Sequence, residues 1–174
     1  MANYNKNKGK AFERELAKHL TGVFGLNFQR VPNSGAFVGG KNAFRRQTLT
    51  QSQELLCTGD LIVPDELRHV SIECKFYKDF SFVSLFSENK LIDSWIQQAS
   101  SSEKLWFLAF KINNCGVHIV YARELGQSLA LPQNHLLYKN KYVVTSMDSF
   151  FETNKDAILN WISPVEPRIV PAES

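Results

Sequence analysis

Cysteine is scarce in this sequence, and its few positions lie far apart. The chain of 174 residues has three cysteines, at positions 57, 74 and 115, and no CxxC pair. An odd number of widely spaced cysteines does not form a disulfide framework, and structural zinc sites need clustered cysteine and histidine ligands. The pattern therefore argues against disulfides and against a structural zinc site.

Long apolar runs are also missing. No stretch approaches the roughly 18 uninterrupted apolar residues of a membrane helix. Residues 1–10 are polar and lysine-rich, without the apolar core that follows in a signal peptide. Hydrophobic residues make up 44% of the chain and charged residues 21%, which excludes an intrinsically disordered chain. We expect a soluble, cytoplasmic protein with a buried core and no membrane partner.

A glycine-rich phosphate loop of the Walker type is absent as well. The nearest segment is Gly39-Gly40-Lys41, which lacks the flanking spacing of that motif, so we expect no dependence on ATP. The length fits one domain by the usual prior of roughly 100–200 residues, and we place that domain at residues 1–163. Residues 164–174 contain three prolines and predict a C-terminal tail.

Positive charge is concentrated in the first third of the chain. The net charge is +3, but residues 1–50 carry nine basic groups against two acidic ones, a local balance of +7. Such asymmetry predicts a surface that faces a polyanion, most often nucleic acid, although a solvated lysine-rich terminus is the alternative. The candidate DNA contacts are Lys8, Lys10, Arg30, Lys41, Arg45 and Arg46.

The hydrophobic pattern predicts alternating helices and strands. Helical spacing runs from Gly9 to about Val23, and β character follows at 26–31. Residues 60–63 and 70–76 flank a turn-prone segment and predict a hairpin. Further predictions are a helix within 85–100, strands at 105–112, 117–122 and 142–145, and a last helix opened by a Ser149/Glu152 capping box. The order predicts an α/β domain with a central mixed sheet and flanking helices.

Two carboxylates and a lysine are placed to converge on this hairpin. Asp60 begins one strand, and Glu73-Cys74-Lys75 lies on the other, with Glu73 and Lys75 on one face by the period of two. Carboxylate oxygens suit Mg²⁺ or Mn²⁺, and a nearby lysine can orient the attacking water. The alternative, commoner for an isolated E-x-K, is an exposed ion pair between Glu73 and Lys75.

These motifs together resemble the PD-(D/E)XK nuclease signature, with Gly59 in place of the usual proline before Asp60. Residues 8–16, which read K-G-K-A-F-E-R-E-L, are similar to the K-G-x-x-x-E-R-x-L opening of Holliday junction resolvases in that superfamily. The resemblance implies a restriction-endonuclease-like fold. It also implies a site for Mg²⁺ or Mn²⁺ made by Glu13, Asp60, Glu73 and the backbone carbonyl of Cys74, with Lys75 at the catalytic water.

The resemblance covers roughly residues 7–122 and implies further roles. Ser34 is a candidate catalytic residue, with a turn-forming serine as the alternative reading. A glutamine on the following helix has a place in related nucleases, and Gln97 and Gln98 both remain open. The long segment 35–57 favours a RecU-like or phage-derived branch over an archaeal-type one.

The function implied by this resemblance is resolution of four-way DNA junctions by a homodimer, in the host cytoplasm if the source is viral. Cutting two opposed strands needs two sites related by a two-fold axis. The alternatives are another nuclease of the superfamily, acting on linear or flapped DNA, and a catalytically silent DNA-binding module. The intact set of Glu13, Asp60, Glu73 and Lys75 argues against the silent module.

Overall fold

The structure is a computed structural model and describes residues 2–32 and 59–161. None of the helices in these two ranges is long and apolar enough to cross a lipid bilayer. The elements in chain order are α1 (Ala2–Phe24), β1 (Gln29–Arg30), β2 (Leu61–Ile62), β3 (Val70–Tyr77), α2 (Lys90–Ala99), β4 (Leu105–Ile112), β5 (Gly116–Ala122), β6 (His135–Tyr138), β7 (Tyr142–Ser146) and α3 (Met147–Leu159). Short 3₁₀ helices lie at Asp65–Leu67, Phe82–Phe86 and Arg123–Gln127.

The centre of the fold is a five-stranded sheet in the order β3-β4-β5-β7-β6. Strands β3 and β4 are parallel and the other neighbours are antiparallel, so the sheet is mixed. Strand β1 pairs separately with β2 in an antiparallel two-stranded sheet. The predicted α/β class, with a central mixed sheet and flanking helices, is confirmed.

Helices cover both faces of the sheet. On one face α1 and α3 pack through a cluster that includes Phe12, Leu16 and Phe150. Helix α1 presents Phe12, Leu16 and Leu20 along one stripe because residues four apart lie on the same helical face. On the other face α2 buries Ile92 against the sheet. Strand β3 lies at one edge of the sheet between these two layers, so both layers can supply side chains to it.

The predicted hairpin between residues 60–63 and 70–76 is wrong. Strand β2 is two residues long and pairs with β1, since Pro64 and the 3₁₀ helix Asp65–Leu67 carry the chain away from a ladder with β3. A single backbone bond still joins the two segments: Asp60 N–H donates to the Ile72 carbonyl at 2.8 Å. Asp60 is therefore anchored beside β3 without strand pairing.

The start of the last helix differs from the prediction, and the structure contains a further strand. Helix α3 begins at Met147, because Ser146 ends β7 with extended backbone and its hydroxyl accepts from Ser149 N–H at 3.2 Å. Ser146, three residues before the predicted Ser149, is therefore the N-cap. Strand β6 was not predicted, because four residues beside a tight turn give too short a pattern. The strand predicted at 105–112 is confirmed.

Gly59 is the residue that allows β2 to approach β3. Its φ is +80°, and a Cβ atom there would lie 2.7 Å from the Ile72 carbonyl oxygen. Backbone oxygen cannot yield as a flexible side chain can, so glycine is required both by conformation and by space. Gly25 also has positive φ, +68°, but a Cβ there would meet open space.

These two glycines give a matched test. We expect Gly25→Ala to cost about 1 kcal/mol of unfolding free energy, the conformational penalty alone. Gly59→Ala adds a steric overlap with Ile72 and should cost about 3 kcal/mol. Urea unfolding of both variants measures the difference, and equal costs would contradict the close approach as the reason for Gly59.

Candidate active site

Asp60 is held at the outer edge of β3 by backbone groups. Its carboxylate Oδ2 accepts from the Cys74 backbone N–H at 2.8 Å, and its own carbonyl accepts from Val31 N–H at 2.9 Å. The residue is 8% exposed. Asp60 thus joins three segments of the chain, and its carboxylate is fixed in position next to Glu73.

Glu73 and Lys75 project from the same face of β3, as the period of two predicts. Lys75 Nζ donates to Glu73 Oε1 at 2.6 Å and to Gln98 Oε1 at 2.8 Å. Gln98, near the end of α2, donates in turn from Nε2 to Glu73 Oε1 at 2.5 Å. The three side chains form a closed network in which Glu73 is 7% exposed. The alternative of an ordinary exposed ion pair does not describe this buried arrangement.

Burial raises the pKa of Glu73 from 4.5 to about 7. The neighbouring carboxylate of Asp60 raises this pKa further, and the charge of Lys75 opposes the shift. Two neighbouring carboxylates, with one ammonium paired to Glu73, carry more negative charge than Lys75 alone neutralises. A cation bound between them would remove that imbalance.

Glu13 reaches the site region from α1 and is engaged by Arg30 of β1. The Arg30 Nε–H donates to Glu13 Oε2, and the two side chains are 18% and 12% exposed. The negative charge of Glu13 also contributes to raising the pKa of the Cys74 thiol. Glu13 is thus near β3, on the opposite side of the sheet from Gln98, and its carboxylate already binds a guanidinium.

Cys74 contributes backbone, and its thiol belongs to the core. The side chain lies in the apolar cluster under α1, and burial raises its pKa well above the ordinary value. A thiol that keeps its proton is a poor metal ligand. Because N–H and C=O of one strand residue point to the same edge, the Cys74 carbonyl faces the outer edge, where its N–H meets Asp60.

The donor set fits a hard divalent cation. Mg²⁺ takes oxygen ligands, binds through one or two carboxylates and keeps several waters. Asp60, Glu73 and the Cys74 carbonyl supply such oxygens. Within residues 2–32 and 59–161, no group of three or more His, Cys, Asp or Glu side chains is arranged to hold a metal. The described arrangement is a carboxylate pair, and Glu13 is paired with Arg30.

The structure describes three of the six predicted DNA contacts, Lys8, Lys10 and Arg30. Lys8 Nζ lies 5.4 Å from the centre of the ring of Phe76, the residue that follows Lys75. Lys10 is half-buried on α1. Arg30 is engaged with Glu13. The remaining predicted site residues, Ser34, Lys41, Arg45 and Arg46, lie outside the described residues, as does the tail at 164–174.

The structure distinguishes between the two glutamines of α2. Gln98 follows Trp95 by three residues, and Trp95 packs on Tyr77 of β3 at 5.3 Å, so this helical face is turned toward β3. Gln97 follows Asp93 by four residues, and Asp93 bonds Lys139 at the far edge of the sheet. The helical period shows that Gln98 shares a face with Trp95. To conclude that this face meets the candidate site, one must know that Trp95 contacts β3.

A mixed sheet whose edge strand carries E-x-K, beside an aspartate anchored to that strand, defines the PD-(D/E)XK nuclease class. A family model described as "Phage putative PDDEXK endonuclease" matches residues 4–160, and the chain belongs to this family. No curated protein and no solved structure matches the chain significantly. The expected restriction-endonuclease-like fold is confirmed, and the protein is an endonuclease whose family implies a DNA substrate and a divalent metal.

The raised pKa of Glu73 gives a test in metal-free solution. The folded carboxyl keeps its proton up to about pH 7, whereas the unfolded one loses it near 4.5, so folding stability falls as pH rises between these values. In EDTA, we expect the free energy of unfolding of Glu73→Gln to rise relative to that of wild type by roughly 2–3 kcal/mol between pH 5 and pH 8. Urea unfolding at each pH measures the two free energies. A difference between variant and wild type that does not change with pH would contradict the raised pKa of Glu73.

Proposed function

We propose that the protein is a Mg²⁺-dependent endonuclease that resolves four-way DNA junctions as a homodimer. The observation that carries the chemistry is the buried pair Asp60 and Glu73, linked to Lys75 at the edge of β3. Preference for junctions is supported by the K-G-x-x-x-E-R-x-L sequence at residues 8–16. The homodimer follows from the need to cut two opposed strands symmetrically.

In this proposal Asp60, Glu73 and the Cys74 carbonyl hold the metal ion, with assistance from Glu13. When bound, Mg²⁺ supplies Lewis-acid stabilisation of the scissile phosphate and lowers the pKa of water. The protein contributes a fixed oxygen set, because the Asp60 carboxylate is bonded to the Cys74 backbone N–H. Manganese has the same preference for oxygen and is expected to substitute.

Lys75 is proposed to position the attacking water. An ammonium has three N–H donors, and Lys75 uses two of them on Glu73 and Gln98. Its side chain is 21% exposed, so a water molecule can reach the remaining donor. Gln98 fixes the ammonium from α2 and acts as a positioning residue. Ser34 is proposed as an additional catalytic group.

The basic residues of the first third are proposed to bind DNA phosphates. Lys8, Lys10 and Arg30 would lie near the site, with Lys41, Arg45 and Arg46 in the segment between β1 and β2. Phosphate contacts are independent of base sequence and weaken with salt. The proposed enzyme therefore recognises the shape of its substrate more than its sequence.

A gel assay on a labelled four-way junction and a linear duplex of matching sequence tests the proposal. We expect paired, symmetric, Mg²⁺-dependent nicks in the junction, and none in EDTA. Glu73→Ala and Lys75→Ala should each reduce the rate at least about 100-fold, because ligand or water positioning is lost. Lys155→Ala, an exposed lysine on α3, is the matched control and should cut normally.

Each other outcome has a defined meaning. Cutting of the linear duplex would indicate a nuclease of another substrate class within the superfamily. Binding without cutting under Mg²⁺ or Mn²⁺ would indicate a silent DNA-binding module. Full activity of folded Lys75→Ala would contradict the assigned site.

The segment between β1 and β2 gives a separate prediction. Arg45→Ala combined with Arg46→Ala should weaken junction binding and reduce the salt slope of log Kd by about two, since each phosphate contact contributes about 0.9. Binding titrations from 50 to 200 mM salt measure the slope. Lys141→Ala combined with Lys155→Ala removes the same charge from other exposed positions, and an equal effect there would exclude a specific role for the arginines.

A further inference from the structure

Two large apolar side chains are unusually exposed in the described part of the chain. Phe86 is 80% exposed and Val83 is 76% exposed, whereas the next values are 44% for Tyr77 and Leu131. Both belong to the 3₁₀ helix Phe82–Phe86, in which residues three apart lie directly above one another. Val83 and Phe86, here called the exposed pair, therefore form one continuous apolar surface.

The opposite face of this 3₁₀ helix is anchored in the core. Leu85 is buried in the core cluster that also contains Ile92 of α2. The Phe82 ring lies 4.6 Å from the His118 ring and 6.3 Å from the Phe110 ring, centre to centre. Turning the exposed pair inward would bring these core side chains into water. The outward position of the pair is thus a property of the packed fold.

Hydrogen bonds fix the same segment from both ends. Ser84 Oγ–H donates to the Ser81 carbonyl at 2.5 Å, and Ser87 Oγ–H donates to the Ser84 carbonyl at 3.2 Å. Asn89 Nδ2–H donates to Ser84 Oγ at 2.6 Å. Contiguous apolar side chains held outward mark protein interaction sites, and aromatic side chains such as Phe86 are enriched at the cores of protein interfaces.

The charges around the exposed pair favour a second copy of this chain over DNA. Lys78 and Asp79 precede the 3₁₀ helix, and Glu88 and Lys90 follow it, all four exposed. Two positive and two negative groups give no excess of cationic charge for phosphates. They do allow the surface to match itself about a two-fold axis, with the lysines of one copy opposite the acids of the other.

The position of the pair leaves the nuclease site accessible. Asn89 caps the start of α2 next to the 3₁₀ helix, and Gln98 near the other end of α2 bonds Glu73. These residues are about 13 Å apart along the helix axis at 1.5 Å per residue. A partner covering the exposed pair would therefore contact the opposite end of α2 from the carboxylates.

We propose that Val83 and Phe86 form the centre of a two-fold interface between two copies of this chain. The inference rests on the proposed function in one respect, since junction resolution requires a dimer. It names the surface by which that dimer forms: an apolar centre with a rim of Lys78, Asp79, Glu88 and Lys90.

Sedimentation velocity of the full chain from 1 to 100 µM tests the interface. We expect a dimer for wild type, and at least about a tenfold increase in the dimer Kd for Val83→Ser combined with Phe86→Ser. Leu131→Ser, a change of an exposed leucine elsewhere, is the matched control and should leave the Kd unchanged. Circular dichroism checks folding, and Asp79→Lys with Glu88→Lys, which places like charges together, gives a second route to dissociation.

A monomeric wild type across this range would overturn the proposal, as would folded variants that dimerise as tightly as wild type. Loss of DNA binding in the serine variant without any change in assembly would assign the pair to DNA and also overturn it. The outcome is independent of nuclease activity. A dimer that dissociates in the variants but never cuts junctions would support the interface and contradict the proposed function.

Discussion

Two carboxylates, Asp60 and Glu73, are buried at the same strand, β3. Most of the hydrogen bonds of the candidate site offset the cost of burying these two charges. Burying a charge costs several kcal/mol unless it is bonded or paired. The Cys74 N–H satisfies Asp60, while Lys75 and Gln98 satisfy Glu73. Burial, and after it the neighbouring Asp60 carboxylate, still raise the pKa of Glu73. The apolar clusters on both faces of the sheet stabilise the fold and offset the free-energy cost of burying the two carboxylates. Two acidic groups with a single paired ammonium would favour a cation over a neutral ligand at this edge.

The pairing of Glu13 with Arg30 joins the same constraint to the rest of the fold. Helix α1 and strand β1 are connected through this ion pair, and β1 pairs with the strand that follows Asp60. The guanidinium neutralises Glu13, so this carboxylate adds no third unneutralised negative charge near β3. Arg30 bonds only Oε2 of this carboxylate, so the other oxygen keeps its lone pairs for a further donor or cation.

Features of the site that depend on local sequence patterns could be predicted, whereas features that depend on contacts between distant segments could not. The common face of Glu73 and Lys75 follows from the strand period, and the strand Leu105–Ile112 follows from its run of six apolar residues at 105–110. The expected hairpin failed because a pattern of two short apolar runs does not reveal that Pro64 ends the first after two paired residues. The choice of Gln98 depends on the side of α2 that meets β3, and the N-cap Ser146 depends on where β7 ends. Each of these is decided by tertiary contacts that a single sequence does not display.

The anchoring of Asp60 has a consequence for how the molecule behaves in a crowded solution. Strand β3 is an edge of the five-stranded sheet, and the edge of a sheet presents unpaired backbone groups that recruit strands from other molecules. Here the Ile72 carbonyl and the Cys74 N–H, both on that edge, are occupied by Asp60. The aspartate that the proposed chemistry needs thereby leaves fewer unpaired backbone groups on this edge for a strand of another molecule. Replacing the Asp60 carboxylate would free the Cys74 N–H at this edge as well as remove an oxygen donor from the candidate site.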